Sequence, residues 1–393
     1  MIRTLDRDEL LAFETAARSA FHEEGHPADV EIDRALLEPE RTLAVFEDGD
    51  IVATAAALSR ELTVPGGIVP VAGVTGVGVV PGQTRRGHLG ALMRRQLDDV
   101  HEPVAALWAS EGGIYARYGY GPATRANRYE AHLWRARLRE PSTVRVRVVP
   151  AADAAGHLLD VYEAARRATP GLLSRDGGWW PRRLHDPEHR REGASALRAA
   201  IVDGGYALYA ARSGWDDGGP SGEVTVRELV AVTPEARAAL WTFLLRIDLM
   251  RTLRWRLAQH EEPLPLMLAD ADALVVRTGL GLWIRLVHLD AALAARTYAQ
   301  PFELVLDVAD SFLPGNAGRH RLAFDGTAAT CEPTRAEPDL ALDAAALGAA
   351  YLGGTRLATL AAAGQVRELR DGALAVADAA FRGAVEPWCP EIF

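Results

Sequence analysis

The sequence predicts a protein of the α/β and α+β classes that is built from three segments. Helical and strand patterns alternate over the first two-thirds of the chain, whereas the last segment places its strands before its helices. A length of 393 residues suits two or three domains of ordinary size. We place one boundary where the chain turns polar near Glu140 and the other at Val287, which gives segments 1–140, 141–287 and 288–393.

The first segment begins with an amphipathic helix, because apolar residues recur at helical spacing from Leu10 to Phe21. Two strands follow, joined by the turn Asp48-Gly49-Asp50, which is typical of a hairpin. The strand GIVPVAGVTGVGVV continues the sheet, and its glycines indicate a bulge or a close backbone approach. A helix at HLGALMRRQLDDV, a buried strand at VAALWA and a strand at RYEAHLW complete the segment.

The second segment echoes this order of elements without a repeat at the level of residues. Its clearest elements are a helix at GHLLDVYEAARRA, a strand at YALYAAR, and a strand at VRELVAV that leads into the helix PEARAALWTFLLRID. The last segment shows strands at FELVLDVAD and HRLAFDG, followed by helices at DAAALGAAYLG and RLATLAAAG. We therefore expect α/β organisation in the first two segments and α+β organisation in the third.

Composition and charge narrow the classes of function. A net charge of -10 argues against a nucleic-acid partner. No apolar run approaches the roughly 18 residues of a membrane span, and acidic residues interrupt the N-terminus where a signal peptide needs an apolar run. We therefore expect a cytoplasmic protein without a membrane partner. Cys331 and Cys389 are far apart in the sequence, which supports neither a disulfide framework nor a structural zinc site.

One motif points to zinc chemistry at first sight. The stretch HEEGH at residues 22–26 satisfies the H-E-x-x-H pattern of zinc hydrolases. That chemistry needs both histidines on one continuous helix. Here Gly25 lies between them, and Pro27 disfavours a helical conformation at His26. We therefore expect the helix to end near Glu24, and we predict no metal site.

A more informative stretch runs from Gly73 to Leu97. A buried strand ends at Val80-Pro81, a turn rich in glycine and arginine follows, and a helix begins near Gly87. Helix N-termini present free N–H groups and a positive dipole end, which suits a pyrophosphate. A Walker A loop is excluded because the chain contains no lysine, and a G-x-G-x-x-G fingerprint is absent at this turn. By itself, the turn is also compatible with an arginine-rich surface loop.

This strand, turn and helix resemble the acetyl-CoA loop of the GNAT acyltransferases, whose pattern is Q/R-x-x-G-x-G/A. The corresponding stretch is TRRGHLG, residues 84–90, which departs from the pattern at its first and last positions. The stretches WASEGGIYARYGYGPATR and PWCPEIF are similar to the Eis-type (enhanced intracellular survival) N-acetyltransferases, and the similarity covers essentially the whole chain. The resemblance implies two GNAT-like domains, a third domain like the sterol carrier proteins, and a homohexamer.

The resemblance also implies where acetyl-CoA would bind. The family's contacts lie on the end of the long strand, on the loop, and just after the next strand. Backbone N–H groups near the strand's end would hold the thioester carbonyl and the developing oxyanion. The matching positions are Val77, Gly78, Val79, Arg85, Arg86, Gly87, His88, Leu89, Gly90, Ser110 and Glu111.

Two catalytic groups follow from the same resemblance. The general acid would be Tyr115, the tyrosine of GGIY, because a phenol with a pKa of about 10 is protonated at neutral pH. The general base would be the chain's own terminal carboxylate at Phe393. Mycobacterial members carry an acid just before the last residue. This chain has Ile392 there and Glu391 one place earlier, which is a departure at the expected rim of the pocket.

For the acceptor, we predict that Glu23, with Glu24 as second choice, holds a cationic amine and that Trp108 forms an apolar wall. The implied activity is acetyl-CoA-dependent N-acetylation of amines by direct transfer in a ternary complex, without a metal. Multi-amine small molecules such as aminoglycosides are the expected acceptors. The same fold could instead acetylate a protein lysine, or bind CoA or an apolar ligand without catalysis.

Overall fold

The structure of the protein, a computed structural model, describes all 393 residues. It is built from three mixed sheets with helices packed against them, which confirms the predicted fold class. No helix has the length and apolar character that crossing a membrane requires.

The first part of the chain contains seven strands and four helices. They are β1 (Ile2–Thr4), α1 (Leu10–Ala20), α2 (Pro27–Arg34), β2 (Thr42–Glu47), β3 (Asp50–Val64), β4 (Gly67–Val79), α3 (His88–Asp99), β5 (Val104–Trp108), α4 (Gly112–Tyr115), β6 (Gly121–Pro122) and β7 (Arg125–His132).

The middle part contains nine strands and four helices. They are β8 (Arg147–Pro150), α5 (Ala155–Ala168), α6 (Trp179–Leu184), β9 (Arg198–Val202), β10 (Gly205–Arg212), β11 (Trp215–Asp216), β12 (Gly219–Pro220), β13 (Gly222–Ala231), α7 (Pro234–Leu244), β14 (Met250–Gln259), α8 (Leu264–Met267), β15 (Leu274–Leu280) and β16 (Leu282–Leu286).

The last part contains five strands and four helices. They are α9 (Leu289–Ala294), β17 (Phe302–Ala309), β18 (Gly318–Phe324), β19 (Ala329–Pro333), β20 (Leu340–Asp343), α10 (Ala344–Ala350), α11 (Leu357–Ala362), β21 (Val366–Glu368) and α12 (Ala373–Phe381).

Each of the three units is organised around one sheet. The first sheet has the strand order β1-β2-β3-β4-β5-β16-β6, the second has β15-β7-β14-β13-β10-β9-β8, and the third has β19-β18-β17-β20-β21. The largest hydrophobic cluster contains buried residues of the first sheet together with those of the C-terminal unit. These two units therefore share one core, while the second sheet has a core of its own.

Two strands cross the boundaries that we predict at residues 140 and 287. β7 belongs to the second sheet, and β16 lies in the first sheet between β5 and β6. The two crossings are adjacent, because the Gly281 N–H donates to the Thr124 carbonyl at 2.9 Å and the Leu282 N–H donates to the Thr124 hydroxyl at 2.8 Å. Hydrophobic pattern does not reveal such an exchange, since either strand would bury the same residues in either sheet.

Besides the shared hydrophobic core, the C-terminal unit approaches the first sheet closely at two glycines. α10 packs against β6 and β16. A side chain at Gly348 would collide with the Ile284 carbonyl, and one at Gly121 would collide with the Ala345 carbonyl. Only glycine fits at these two positions, so the packing of α10 fixes how the third unit sits on the first.

The first sheet opens at its centre. β4 and β5 run parallel and pair only from Val71 to Gly73, although β4 continues to Val79. Beyond Gly73 the two strands diverge, so the edge of β4 that faces β5 has no strand partner. The ladder between β3 and β4 is also irregular, and Gly76 takes a φ of +59°. The bulge expected from the glycines of this strand is therefore present, and it bends β4 beside the opening.

Candidate active site

A cavity of about 530 Å³ lies where β4 and β5 diverge. Its walls come from both strands, from α1 and α2, from α6 of the second unit, and from the last two residues of the chain. The fold thus gathers side chains that are far apart in sequence. Among the predicted residues, Val77, Trp108, Ser110, Tyr115 and Phe393 line this one space, and Glu23 lies at its mouth.

The loop after β4 has the features that a pyrophosphate requires. The hydrogen-bond ladder of α3 starts with the Ala91 N–H and the Gly87 carbonyl at 3.1 Å, so the N–H groups of His88, Leu89 and Gly90 precede it. Gly87 takes a φ of +89°, and a Cβ at Gly87 or Gly90 would point into open space. These residues fit the phosphates of CoA, because the backbone donors can approach an anion without obstruction.

The charged residues of this loop have different surroundings. Arg86 donates to Glu47 at 2.6 Å, and the same carboxylate lies 3.5 Å from His88 Nε2. Arg85 is exposed, has a φ of +63° and forms no ion pair. Arg85 is therefore the free guanidinium of the loop, while Glu47 positions Arg86 and lies near His88. Sequence reasoning did not identify Glu47.

The remaining predicted CoA positions lie outside the cavity lining. Gly78 and Val79 continue β4 toward the loop, and Glu111 is the exposed residue that precedes α4. A Cβ at Gly78 would collide with Ala20 of α1, so the helix and the strand approach closely there. The cavity and the loop are thus two ends of one path along β4, with Val77 at the inner end.

Tyr115 ends the short helix α4 and is buried in the wall of the cavity. Burial raises the pKa of its phenol above the ordinary value, and the neighbouring Ser110 side chain opposes that shift in part. Tyr120 contacts it edge-on, with ring centroids 6.2 Å apart. A phenol with a raised pKa stays protonated at neutral pH, so Tyr115 has a proton that it could donate.

The C-terminal tail carries Phe393 into the same cavity. The tail crosses from the core of the second unit, where Trp388 is buried, to the core shared by the other two, where Cys389 is buried. The Trp388 N–H donates to the Pro170 carbonyl and its indole donates to the Leu257 carbonyl, both at 2.9 Å. The ring of Phe393 then packs edge-on against Trp179. The end of the chain is therefore held in place.

Glu391 holds this tail through a buried ion network and does not line the cavity. Its carboxylate accepts from Arg60 at 3.0 Å and also from Arg175, which in turn donates to Glu228 at 3.0 and 2.6 Å. Burial alone would raise the pKa of Glu391, but the charges of Arg175 and Arg60 outweigh it and lower that pKa to about 2. The network joins one residue of the first sheet, two of the second unit and one of the tail.

The predicted acceptor residues are divided between two spaces. Trp108 and Glu23 line the cavity, whereas Glu24 lies only in an open groove on the far side of α1, which Glu23 also borders. The Glu23 side chain is 65% exposed and lies 3.9 Å from Arg18. Glu23 is therefore placed at the mouth of the cavity, and Glu24 is not.

Sequence reasoning missed the charged residues inside the cavity. Glu14 and Arg18 come from α1, Asp33 comes from α2, and Arg182 comes from α6. Arg18 and Arg182 both donate to Asp33, at 2.7 and 2.9 Å. One signal was available for Glu14, because it stands on the apolar stripe of α1, where a charged residue is unusual. Asp33 and Arg182 carry no such signal.

The H-E-x-x-H stretch does not lie on one continuous helix, as its glycine and proline predict. α1 ends at Ala20, His22 takes a φ of +57°, and His26 is the residue before α2. The two histidines therefore do not share a helix. His26 instead stacks on His189, with ring centroids 3.6 Å apart.

One group of side chains elsewhere has metal-ligand chemistry. Asp290, His320 and Cys331 place one ligand atom each within 4.8 Å of one another, on the face of the third sheet that α9 covers. Hydrogen bonds already occupy these atoms, since His320 Nδ1 lies 2.7 Å from the Asp290 carboxylate and Nε2 lies 3.1 Å from the Asn316 carbonyl. Burial raises the pKa of the Cys331 thiol. None of these residues lines the cavity, so the group has no part in its chemistry.

Comparison with known proteins gives the same domain order. Residues 1–123 and residues 171–286 each match a family described as an acetyltransferase (GNAT) domain, and residues 289–390 match a sterol carrier protein domain. An uncharacterised N-acetyltransferase of Streptomyces avermitilis is 43% identical over 375 residues, which cover 92% of each chain.

Two mycobacterial proteins are similar over nearly the whole length. The N-acetyltransferase Eis of Mycobacterium tuberculosis is 35% identical over 370 residues, 89% of each chain. The crystal structure of Eis1 from Mycobacterium abscessus aligns over 100% of both chains with a TM-score of 0.87 and 34% identity. Since this identity extends over nearly the whole length of both chains, this chain belongs to the Eis family of GNAT N-acetyltransferases.

Proposed function

We propose that the protein transfers the acetyl group of acetyl-CoA directly to a primary amine that is bound in the cavity between β4 and β5. The observation that carries the proposal is that Tyr115, Phe393 and the inner end of β4 line one space, and that this strand leads straight to the loop of residues 84–90. A proton donor, a carboxylate and backbone N–H groups are the three elements that acyl transfer to an amine requires.

In this mechanism, bound acetyl-CoA supplies the activated thioester. The free edge of β4 beyond Gly73 offers N–H groups to the acetyl oxygen. The terminal carboxylate of Phe393 accepts a proton from the attacking amine as the carbon–nitrogen bond forms. Tyr115 donates its proton to the sulfur as the carbon–sulfur bond breaks, and it recovers one afterwards from solvent. Neither cysteine takes part, since Cys331 and Cys389 are buried outside the cavity.

The acceptor class that we propose is a small molecule with more than one amino group, of which aminoglycosides and linear polyamines are the first to test. Support comes from the three acidic side chains that line the cavity, which are Glu14, Glu23 and Asp33. A protein lysine is the alternative acceptor. It is less favoured because α1, α2 and α6 surround the space on several sides, whereas a lysine within a protein needs a shallow cleft.

A lipid-carrying role for the third unit has less support. Its interior is occupied by a cluster of aromatic rings, in which Tyr298 contacts Phe302, Phe324 and Phe381 with centroids 5.0–5.7 Å apart. Arg296 is buried among them and donates to the Phe381 carbonyl at 3.0 Å. An apolar ligand would have to displace these side chains.

The proposal is tested by release of the CoA thiol from acetyl-CoA, with and without amines. Release that saturates with amine concentration is expected. Tyr115→Phe should lower kcat roughly 100-fold, the scale of general acid catalysis, without weakening acetyl-CoA binding. Tyr118→Phe is the matched control, because Tyr118 is buried in the same turn but lies outside the cavity. Equal kcat values for the two variants would refute the role of Tyr115.

The terminal carboxylate needs a separate variant. One extra glycine after Phe393 moves the charge while it leaves every side chain in place, so kcat should fall and the melting temperature should not.

We also propose the homohexamer implied by the family resemblance, which light scattering of the purified protein would check. The exposed apolar side chains Val275, Val276 and Leu280 on edge strand β15 offer surface for such contacts.

A further inference from the structure

Glu14 is a charged residue in an apolar position. It lies on α1 among the other buried residues of that helix, which are Leu10, Phe13, Ala16 and Ala17. Only 8% of its surface is exposed, and what is exposed faces the cavity. Ionised side chains are rarely buried to this degree unless a partner compensates them, because removing a charge from water is costly.

The compensation that Glu14 finds within the protein is incomplete. Its one close partner is Arg18, whose Nε lies 3.4 Å away, and that Nε–H is itself buried without a hydrogen-bond acceptor. Burial raises the pKa of Glu14, and the charge of Asp33 raises it further. The carboxylate therefore lacks the short, direct hydrogen bonds that buried acids elsewhere in this chain possess, such as those of Glu228.

The cations of the cavity are already engaged. Arg18 donates to Asp33 at 2.7 Å, and Arg182 donates to the same carboxylate at 2.9 Å. Arg190, the third guanidinium that faces the cavity, donates to Asp29 at 2.7 Å. Asp33 is thus paired with two guanidinium groups and Glu23 is largely in solvent, whereas Glu14 is buried and accepts no short hydrogen bond.

We propose that Glu14 forms a subsite for a second ammonium group of the acceptor, at a distance from the amine that is acetylated. This inference rests on the proposed function, because it assigns one wall of the same cavity. The reacting amine must be neutral and must lie near Tyr115 and the terminal carboxylate, whereas a second amine stays protonated and needs a carboxylate. Glu14 supplies that carboxylate in a largely buried position, where an ion pair is stronger than at the surface.

A carboxylate subsite at Glu14 predicts that the protein prefers diamines to monoamines of equal chain length. A linear diamine places an ammonium at Glu14 when its length matches the distance between the two subsites, and shorter or longer ones do so less well. A monoamine of equal chain length leaves Glu14 without its partner. Charge-assisted hydrogen bonds contribute about 1.5–3 kcal/mol, so the KM of the best diamine should be at least about tenfold lower than that of its matched monoamine.

The test compares linear diamines with monoamines of equal length on the wild-type protein, on Glu14→Gln and on Glu24→Gln. Glu14→Gln keeps the size of the side chain and removes its charge, so the KM for the diamine should rise toward that of the monoamine while the monoamine's KM stays the same. Glu24→Gln is the control, because Glu24 is an acid of the neighbouring turn outside the cavity.

The outcomes separate the two proposals. If no amine stimulates thiol release from acetyl-CoA with the wild-type protein, the proposed function fails. If amines are acetylated but Glu14→Gln raises the KM for both amine types equally, or for neither, the subsite at Glu14 is refuted and the proposed function stands. A loss of folding in Glu14→Gln would show in its circular dichroism. In that event, Glu14→Asp, which keeps the charge, must retain the preference for diamines.

Discussion

The Glu391 carboxylate lies 3.0 Å from the Arg60 guanidinium, and both groups are buried. Arg60 also stacks on Trp179, with its guanidinium carbon 3.6 Å from the ring centroid, and Trp179 in turn contacts Phe393. One ion pair thus positions both the tail and an aromatic wall of the cavity. Since Glu391 lies two residues before the chain terminus, the pair determines where the terminal carboxylate can lie.

Glu391→Gln should therefore impair catalysis because it shifts the terminal carboxylate, although Glu391 itself does not contact the substrate. The change leaves Arg60 without its charge partner and removes one of the two carboxylates that pair with Arg175. Breaking a buried pair in this way costs about 3–5 kcal/mol of stability. We expect kcat to fall while the Kd of acetyl-CoA, measured by calorimetry below the melting temperature, stays the same. Glu386→Gln on the same tail is the control. A Glu391→Gln enzyme with wild-type kcat would show that the tail does not need this anchor.

Glu386 and Glu391 should give opposite pH dependences of stability. Burial raises the pKa of Glu386 from 4.5 to about 7. Its folded state binds the proton more tightly, so its contribution is favourable below about pH 4.5 and is lost as the pH rises toward 7. The pKa of Glu391 is lowered to about 2, so its contribution is present above about pH 4.5 and is lost as the pH falls toward 2.

Urea unfolding at a series of pH values checks both signs. Glu386→Gln should remove part of the decline in unfolding free energy between pH 4.5 and 7, and Glu391→Gln should remove part of the decline below pH 4.5. If both variants show the same pH dependence of unfolding free energy as the wild-type protein, these two carboxylates do not control it.

The strand, turn and helix of residues 73–97 could be predicted from the sequence because they depend on local signals, whereas the roles of Tyr115 and Phe393 follow from the family resemblance and stay predictions. Gly87 and Gly90 follow a buried strand, and GGIY carries Tyr115 in a conspicuous motif. The charges inside the cavity could not be predicted in the same way. Asp33 pairs with Arg182, which is 149 residues away in the sequence, and Glu391 pairs with Arg60, which is 331 residues away. Such pairs follow from how the domains sit together, which no local pattern encodes.

Glu23→Ala tests the prediction, made from the sequence, that Glu23 holds a cationic amine of the acceptor. Glu23 is at the mouth of the cavity and mostly in solvent, so salt and water weaken its attraction for a cation. We expect the KM for polyamines to rise only severalfold, with no change in acetyl-CoA affinity. Glu24→Ala should have no effect on either quantity. Unchanged kinetics in Glu23→Ala would leave the inner carboxylates as the cavity's cation sites.

Substitution of Gly90 should change folding stability and acetyl-CoA affinity in opposite directions. It lies in the first turn of α3, and a Cβ there would point into open space. Gly90→Ala should therefore stabilise the fold slightly, by about 0.5 kcal/mol, because alanine loses less backbone entropy in a helix. The same methyl group would stand where phosphate oxygens must approach the N–H groups of His88 and Leu89, so the Kd of acetyl-CoA should rise.

Gly87→Ala offers a contrast, since its φ of +89° makes alanine costly for folding as well. A more stable Gly90→Ala protein that binds acetyl-CoA as tightly as the wild type would show that the phosphates lie elsewhere. The loop would then be only the arginine-rich surface turn with which its sequence is also compatible.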